Sequence, residues 1–92
     1  LIQKFVDATP SAIADMKSQL AAGMLHDLSR TVHSLKPQLS YMGIENCLEE
    51  IKQIQHCEQD QIETTKLADL IKQVENSCTT AIEELKTELE KL

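Results

Sequence analysis

The chain has 92 residues, 41% of them hydrophobic, and a formal net charge of −6 at pH 7. This length supports one domain with one core, and the negative charge argues against nucleic acid as a partner. No apolar run approaches the roughly 18 residues that a membrane span needs, and no signal peptide is recognisable. Two Gly, two Pro, one Tyr, one Phe and no Trp predict an all-α fold with an aliphatic core.

Two helices are predicted before Gly23. A short one covers residues 1–6. Thr9-Pro10 is then a typical helix start, because a hydroxyl residue caps the helix and proline occupies its first position; Asp7 is an alternative cap. The second helix ends at Gly23. The predicted inward residues of this pair are Ile2, Phe5, Val6, Ile13, Met16 and Leu20.

The third helix, from about Met24 to Tyr41, is the centre of the interpretation. Apolar residues recur there at steps of three and four, which is typical of an amphipathic helix. His33 lies well away from this stripe, so its imidazole should reach water. Because the stripe keeps its phase across Pro37, we predict a kinked but continuous helix that ends before Gly43. The stripe consists of Leu25, Leu28, Val32, Leu35, Leu39 and Met42.

A fourth helix is predicted from Ile44 to near Cys57, followed by a polar loop over residues 58–64. Thr64 or Thr65 then opens a long last helix of ~40 Å. The predicted inward residues of these two helices are Ile44, Cys47, Leu48, Ile51, Ile54, Leu67, Leu70, Ile71, Val74, Cys78, Ala81, Ile82, Leu85 and Leu89.

Together the helices predict an antiparallel up-and-down four-helix bundle, in which the short N-terminal helix caps one end and residues 1–92 form a single domain.

The three cysteines are odd in number, which argues against a disulfide framework and for a reducing compartment. Cys47 and Cys78 lie on apolar stripes and are predicted core residues. No ligand spacing predicts a metal site. A monomer is favoured, although the far end of the last helix is a candidate dimer seam.

The exposed His33 suggests chemistry at phosphorus. An ordinary histidine is mostly neutral at pH 7, and its free lone pair needs no general base to attack. Lys36, one turn further on, supplies a cation for the incoming phosphate. Arg30 and Lys36 oppose Asp27 alone, so the central helix carries +1 within a chain of −6 and should attract an acidic partner. The predicted partner-binding residues around His33 and Lys36 are His26, Ser29, Arg30, Pro37 and Ser40.

The pattern His33-Ser34-Leu35-Lys36, followed by Met42-Gly43-Ile44, resembles the histidine-containing phosphotransfer (HPt) domain. The resemblance covers nearly the whole chain, including Phe5, Pro10 and the segment 21–23. It implies a helical bundle that relays phosphoryl groups between aspartates of response-regulator receiver domains, without binding ATP and without a cofactor of its own.

The resemblance also implies individual roles. His33 would be the phosphoacceptor through its outer ring nitrogen and Lys36 the phosphate-stabilising cation, and the Mg²⁺ used in transfer would belong to the receiver. Because the chain opens with Leu1, we expect a piece of a longer hybrid sensor kinase. Its location is expected to be cytoplasmic.

Two alternatives stay open. The family usually has Gly after the Lys, whereas Pro37 stands here, which would suit an interaction module with the same fold and no transfer. The other alternative is the dimerisation and phosphoacceptor domain of a sensor kinase. In those proteins an acidic residue usually follows the His and Pro comes five positions after it, whereas here Ser34 follows and Pro37 comes four positions after.

Overall fold

The computed structural model describes residues 2–91, except for the side chains of Ile2, Gln3, Phe5 and Leu89. The predicted inward orientation of Ile2, Phe5 and Leu89 therefore lies outside the described part. Residues 2–91 form helices joined by turns, without a strand, which confirms the all-α prediction. The helices are α1 (Ile2–Ala21), α2 (Leu25–Tyr41), α3 (Leu48–Gln55), α4 (Cys57–Asp60) and α5 (Thr64–Glu90).

The four longer helices form a ring in which each packs against two neighbours. α2 lies between α1 and α3, and α5 closes the ring by packing against α1 and α3. The groove between α2 and α3 therefore lies on the opposite side of the bundle from the groove between α1 and α5. The core is aliphatic, as predicted. It contains Val6, Ile13, Met16, Leu28, Val32, Leu35, Leu39, Cys47, Ile51, Ile54, Cys57, Leu67, Leu70, Ile71, Val74, Cys78 and Ile82.

Glycines end α1 and α2 as predicted. Gly23 and Gly43 adopt φ angles of +73° and +75°, a left-handed conformation that glycine reaches without a Cβ penalty. After each glycine, a backbone N–H bonds five residues back into the helix, from Met24 to the Gln19 carbonyl at 2.8 Å and from Ile44 to the Leu39 carbonyl at 2.9 Å. These bonds satisfy carbonyls that a helix end leaves open.

The predicted break at Thr9-Pro10, and with it the separate N-terminal capping helix, is wrong. α1 runs without interruption through Pro10. Val6, Thr9 and Ile13 are all buried, while Pro10 is exposed. The buried face thus continues in phase across the proline, whose ring points to solvent, and packing against the bundle outweighs the backbone bond that proline removes.

The prediction for the middle of the chain is correct in the continuity of α2 and needs correction after that helix. α2 is continuous through Pro37. α3 begins at Leu48 instead of Ile44, because the Ile44 N–H caps α2 and a turn follows, with Cys47 buried just before the helix. The predicted loop contains the short helix α4, which the buried Cys57 anchors and which ends at Gln61 in a left-handed conformation. α5 begins at Thr64, as predicted.

Candidate functional site

The site lies on the exposed side of α2, next to α3. Leu28, Val32, Leu35 and Leu39 point into the core, and this orientation turns His33 to the surface. The His33 side chain is exposed, as the periodicity predicted. Lys36, one turn further along the helix, is half-buried. α2 therefore presents an imidazole to solvent from a backbone that the core holds in place.

One ring nitrogen of His33 is held by α3. The Gln55 side-chain Nε2 lies 2.8 Å from His33 Nδ1. The other ring nitrogen, Nε2, makes no hydrogen bond within residues 2–91 and is the one available to a partner. The contact orients the ring, since an imidazole bonded at one nitrogen has its second nitrogen fixed in direction. Sequence reasoning missed Gln55, although it lies on a predicted helix.

Ser29 connects the same two helices. Its hydroxyl donates to the Gln55 backbone carbonyl, which the end of α3 leaves without an intrahelical partner. The sequence interpretation treated Ser29 as a small residue of the docking face, but it is half-buried and its hydroxyl is engaged. Ser29 thus fixes the position of Gln55 relative to α2.

The other predicted residues differ in their surroundings. Arg30, Pro37 and Ser40 are exposed on α2. His26 is turned toward α4, where its Nδ1 lies 3.5 Å from Glu58 Oε1, with the two side chains 76% and 50% exposed. At such exposure an ion pair contributes little to stability. The structure therefore brings together His33, Ser29 and Gln55, and it places His26 in a separate contact.

Within residues 2–91, no group of three or more His, Cys, Asp or Glu side chains is arranged to hold a metal ion. The three cysteines are unpaired and buried, which confirms Cys47 and Cys78 as core residues. Burial raises the pKa of the Cys57 thiol. A hydrogen bond with Cys47, together with burial, raises the pKa of the Cys78 thiol. The same hydrogen bond lowers the pKa of the Cys47 thiol, so the Cys57 and Cys78 thiols are the two that folding keeps protonated.

The model of one protein family, described as the Hpt domain, matches residues 1–92. The chain belongs to the Hpt domain family. The match covers the whole chain, so it confirms the resemblance to this family and disfavours the sensor-kinase dimerisation domain. Comparison with curated proteins and with solved structures found no significant match.

Membership gives the general function. Hpt domains take part in phosphorelays by histidine phosphotransfer, and they interact with receiver domains. Among the described helices of this Hpt domain, none has both the length and the hydropathy that crossing a membrane requires.

Proposed function

We propose that this Hpt domain accepts a phosphoryl group on His33 Nε2 from the phosphorylated aspartate of one receiver domain and passes it to the aspartate of another. The observation that carries the proposal is the exposed imidazole whose Nδ1 contacts Gln55, since this contact directs Nε2 outward. In this proposal Lys36 stabilises the phosphate charge, and the docking face includes Arg30 and Pro37. Ser40 and His26 would lie at its margin.

The chemical step needs a particular tautomer. Nε2 can attack phosphorus only if it carries the lone pair, so the proton of the neutral ring must sit on Nδ1. Gln55 suits this form when its amide turns by 180° and Oε1 accepts the Nδ1 proton. As the new P–N bond forms, the P–O bond to the aspartate breaks and the carboxylate leaves with the electron pair.

The phosphorylated ring then loses its Nδ1 proton to solvent, and the Nδ1 lone pair can accept from Gln55 Nε2. A glutamine serves both forms because its amide is a donor at one end and an acceptor at the other. The step needs no ATP and no cofactor on this chain, and Mg²⁺ would be held by the receiver.

The three unpaired cysteines fit a reducing compartment such as the cytoplasm, where a hybrid sensor kinase would present this domain.

The test is transfer from a ³²P-labelled receiver domain. We expect acid-labile label on the wild-type protein and on the control His56→Gln, which removes another exposed histidine. We expect no label on His33→Gln, whose cooperative unfolding should show that the bundle remains folded, because the exposed side chain contributes little to the core. Label of equal intensity on His33→Gln would contradict the proposal.

A second candidate function, binding without transfer, rests on Pro37, which is exposed four residues after His33. It predicts that the wild-type protein binds the receiver without becoming labelled, and that Pro37→Gly gains labelling. Labelling of the wild-type protein at His33 would rule it out.

A further inference from the structure

Three contacts define how α3 and α4 run along α2. The Ser29 hydroxyl meets the Gln55 backbone carbonyl, and the Gln55 amide meets His33. Further along the chain, Glu58 meets His26. Gln55 of α3 contacts His33 of α2, and Glu58 of α4 contacts His26 of α2. A later residue of α3 and α4 therefore contacts an earlier residue of α2. The segment containing α3 and α4 is therefore antiparallel to α2.

This register sets the position of Lys52 along α2. Lys52 precedes Gln55 by three residues, about one helical turn, so in the antiparallel arrangement it lies level with residues 33–36 of α2. Around α3, Ile51 and Ile54 are buried and Gln55 is half-buried at the contact with α2. Viewed down the axis of α3, Lys52 lies about 60° from Gln55, on the side of Gln55 that faces away from the core. Its side chain is exposed.

The two lysines at this level of the bundle, Lys36 and Lys52, are not neutralised within the described residues. Lys36 and Lys52 make no ion pair or hydrogen bond inside the described chain, whereas Lys17, on the far side of the bundle, lies 2.6 Å from Glu75. Two ammonium groups on neighbouring helices, neither of them held in an ion pair, favour the binding of a doubly charged anion at the groove between those helices.

We propose that Lys52 is a second phosphate-binding residue, which contacts the phosphoryl group on His33 from α3 while Lys36 contacts it from α2. The inference rests on the proposed role of His33 and extends it, because it makes the phosphate site a cleft between two helices. Neither the periodicity of α2 nor the sequence motif around His33 includes Lys52.

Phosphoramidate tests the proposal, because this small phosphodonor has no protein surface to dock. Imidazole Nε2 attacks its phosphorus, the new P–N bond forms, and the old P–N bond breaks as the amide nitrogen takes a proton and leaves as ammonia. We expect Lys52→Gln to slow phosphorylation of His33 about two- to fivefold, the range of an exposed ion pair. Lys52→Arg should keep most of the wild-type rate.

The matched control is Lys72→Gln, since Lys72 is exposed in the groove between α1 and α5. It changes the net charge equally and should leave the rate unchanged. The Lys52→Gln effect should shrink in 0.5 M salt, because screening weakens exposed charges. Equal rates for the two Gln variants, or an effect insensitive to salt, would overturn the role of Lys52. Failure of the wild-type protein to label at His33 would instead overturn the proposed function itself.

Discussion

Replacing Gln55 by Leu tests how the structure orients His33. The substitution removes the amide that lies 2.8 Å from His33 Nδ1. It keeps the backbone carbonyl that accepts from Ser29, so the contact between α2 and α3 should persist. The expected loss is therefore confined to one hydrogen bond and to the orientation of the ring.

The magnitude follows from that single bond. A hydrogen bond contributes about 0.5–1.5 kcal/mol net, which corresponds to a rate about 2- to 13-fold lower if the whole bond is needed for attack. Single-turnover phosphorylation by phosphoramidate measures this rate without a contribution from docking. Thermal unfolding of the same sample measures whether the bundle is intact.

Gln53→Leu is the matched control. Gln53 is half-buried on α3, about 160° around the helix from Gln55, and it makes no hydrogen bond to His33 in the described structure. We expect its rate to stay at the wild-type value. If Gln55→Leu also kept the wild-type rate, the contact would not position the nucleophile and the tautomer argument would be refuted.

Three further predictions concern stability. The Thr9 hydroxyl is fully buried without a hydrogen-bond partner in the described part, so Thr9→Val should raise the free energy of unfolding in urea by about 1 kcal/mol; a clear loss would show that the hydroxyl is satisfied. Pro37→Ala should raise the same quantity by up to about 3 kcal/mol, because it restores an N–H for the His33 carbonyl, and a decrease would contradict the continuous helix. Burial raises the pKa of Cys57, so the contribution of this thiol to stability is complete below the unfolded thiol pKa of about 8.5 and declines as pH rises above it. Between pH 8 and pH 10 the urea midpoint should therefore fall more for the wild-type protein than for Cys57→Ala, and equal falls would contradict this.

The two prolines show what periodicity predicts and what a local motif obscures. At Pro37 the apolar stripe keeps its phase, and the predicted continuous helix is correct. At Pro10 the phase is also kept, since Val6 and Ile13 lie seven residues, about two turns, apart, and Thr9 lies between them on the inner face. The Thr-Pro pair is also a typical helix start, and that local signal favoured a break, whereas tertiary packing buries Thr9 and keeps α1 whole.

The site was predicted in part, for a related reason. The position of His33 outside the stripe depends on one helix alone, so the sequence sufficed to predict its exposure. The positions of Gln55 and Lys52 relative to His33 depend on the register between α2 and α3. No local pattern in a single sequence encodes that register. The sequence also predicts the start of α3 at Ile44, four residues before its observed start at Leu48. An alignment of α3 against α2 from that start would be wrong by about one helical turn.

The central claim is that His33 Nε2 accepts the phosphoryl group. Long-range ¹H–¹⁵N NMR of the phosphorylated protein tests this claim most directly, because the method resolves both ring nitrogens of all three histidines. The account predicts coupling to phosphorus at His33 Nε2, with the nitrogens of His26 and His56 unchanged. Coupling at His33 Nδ1, or at either of the other two rings, would contradict it.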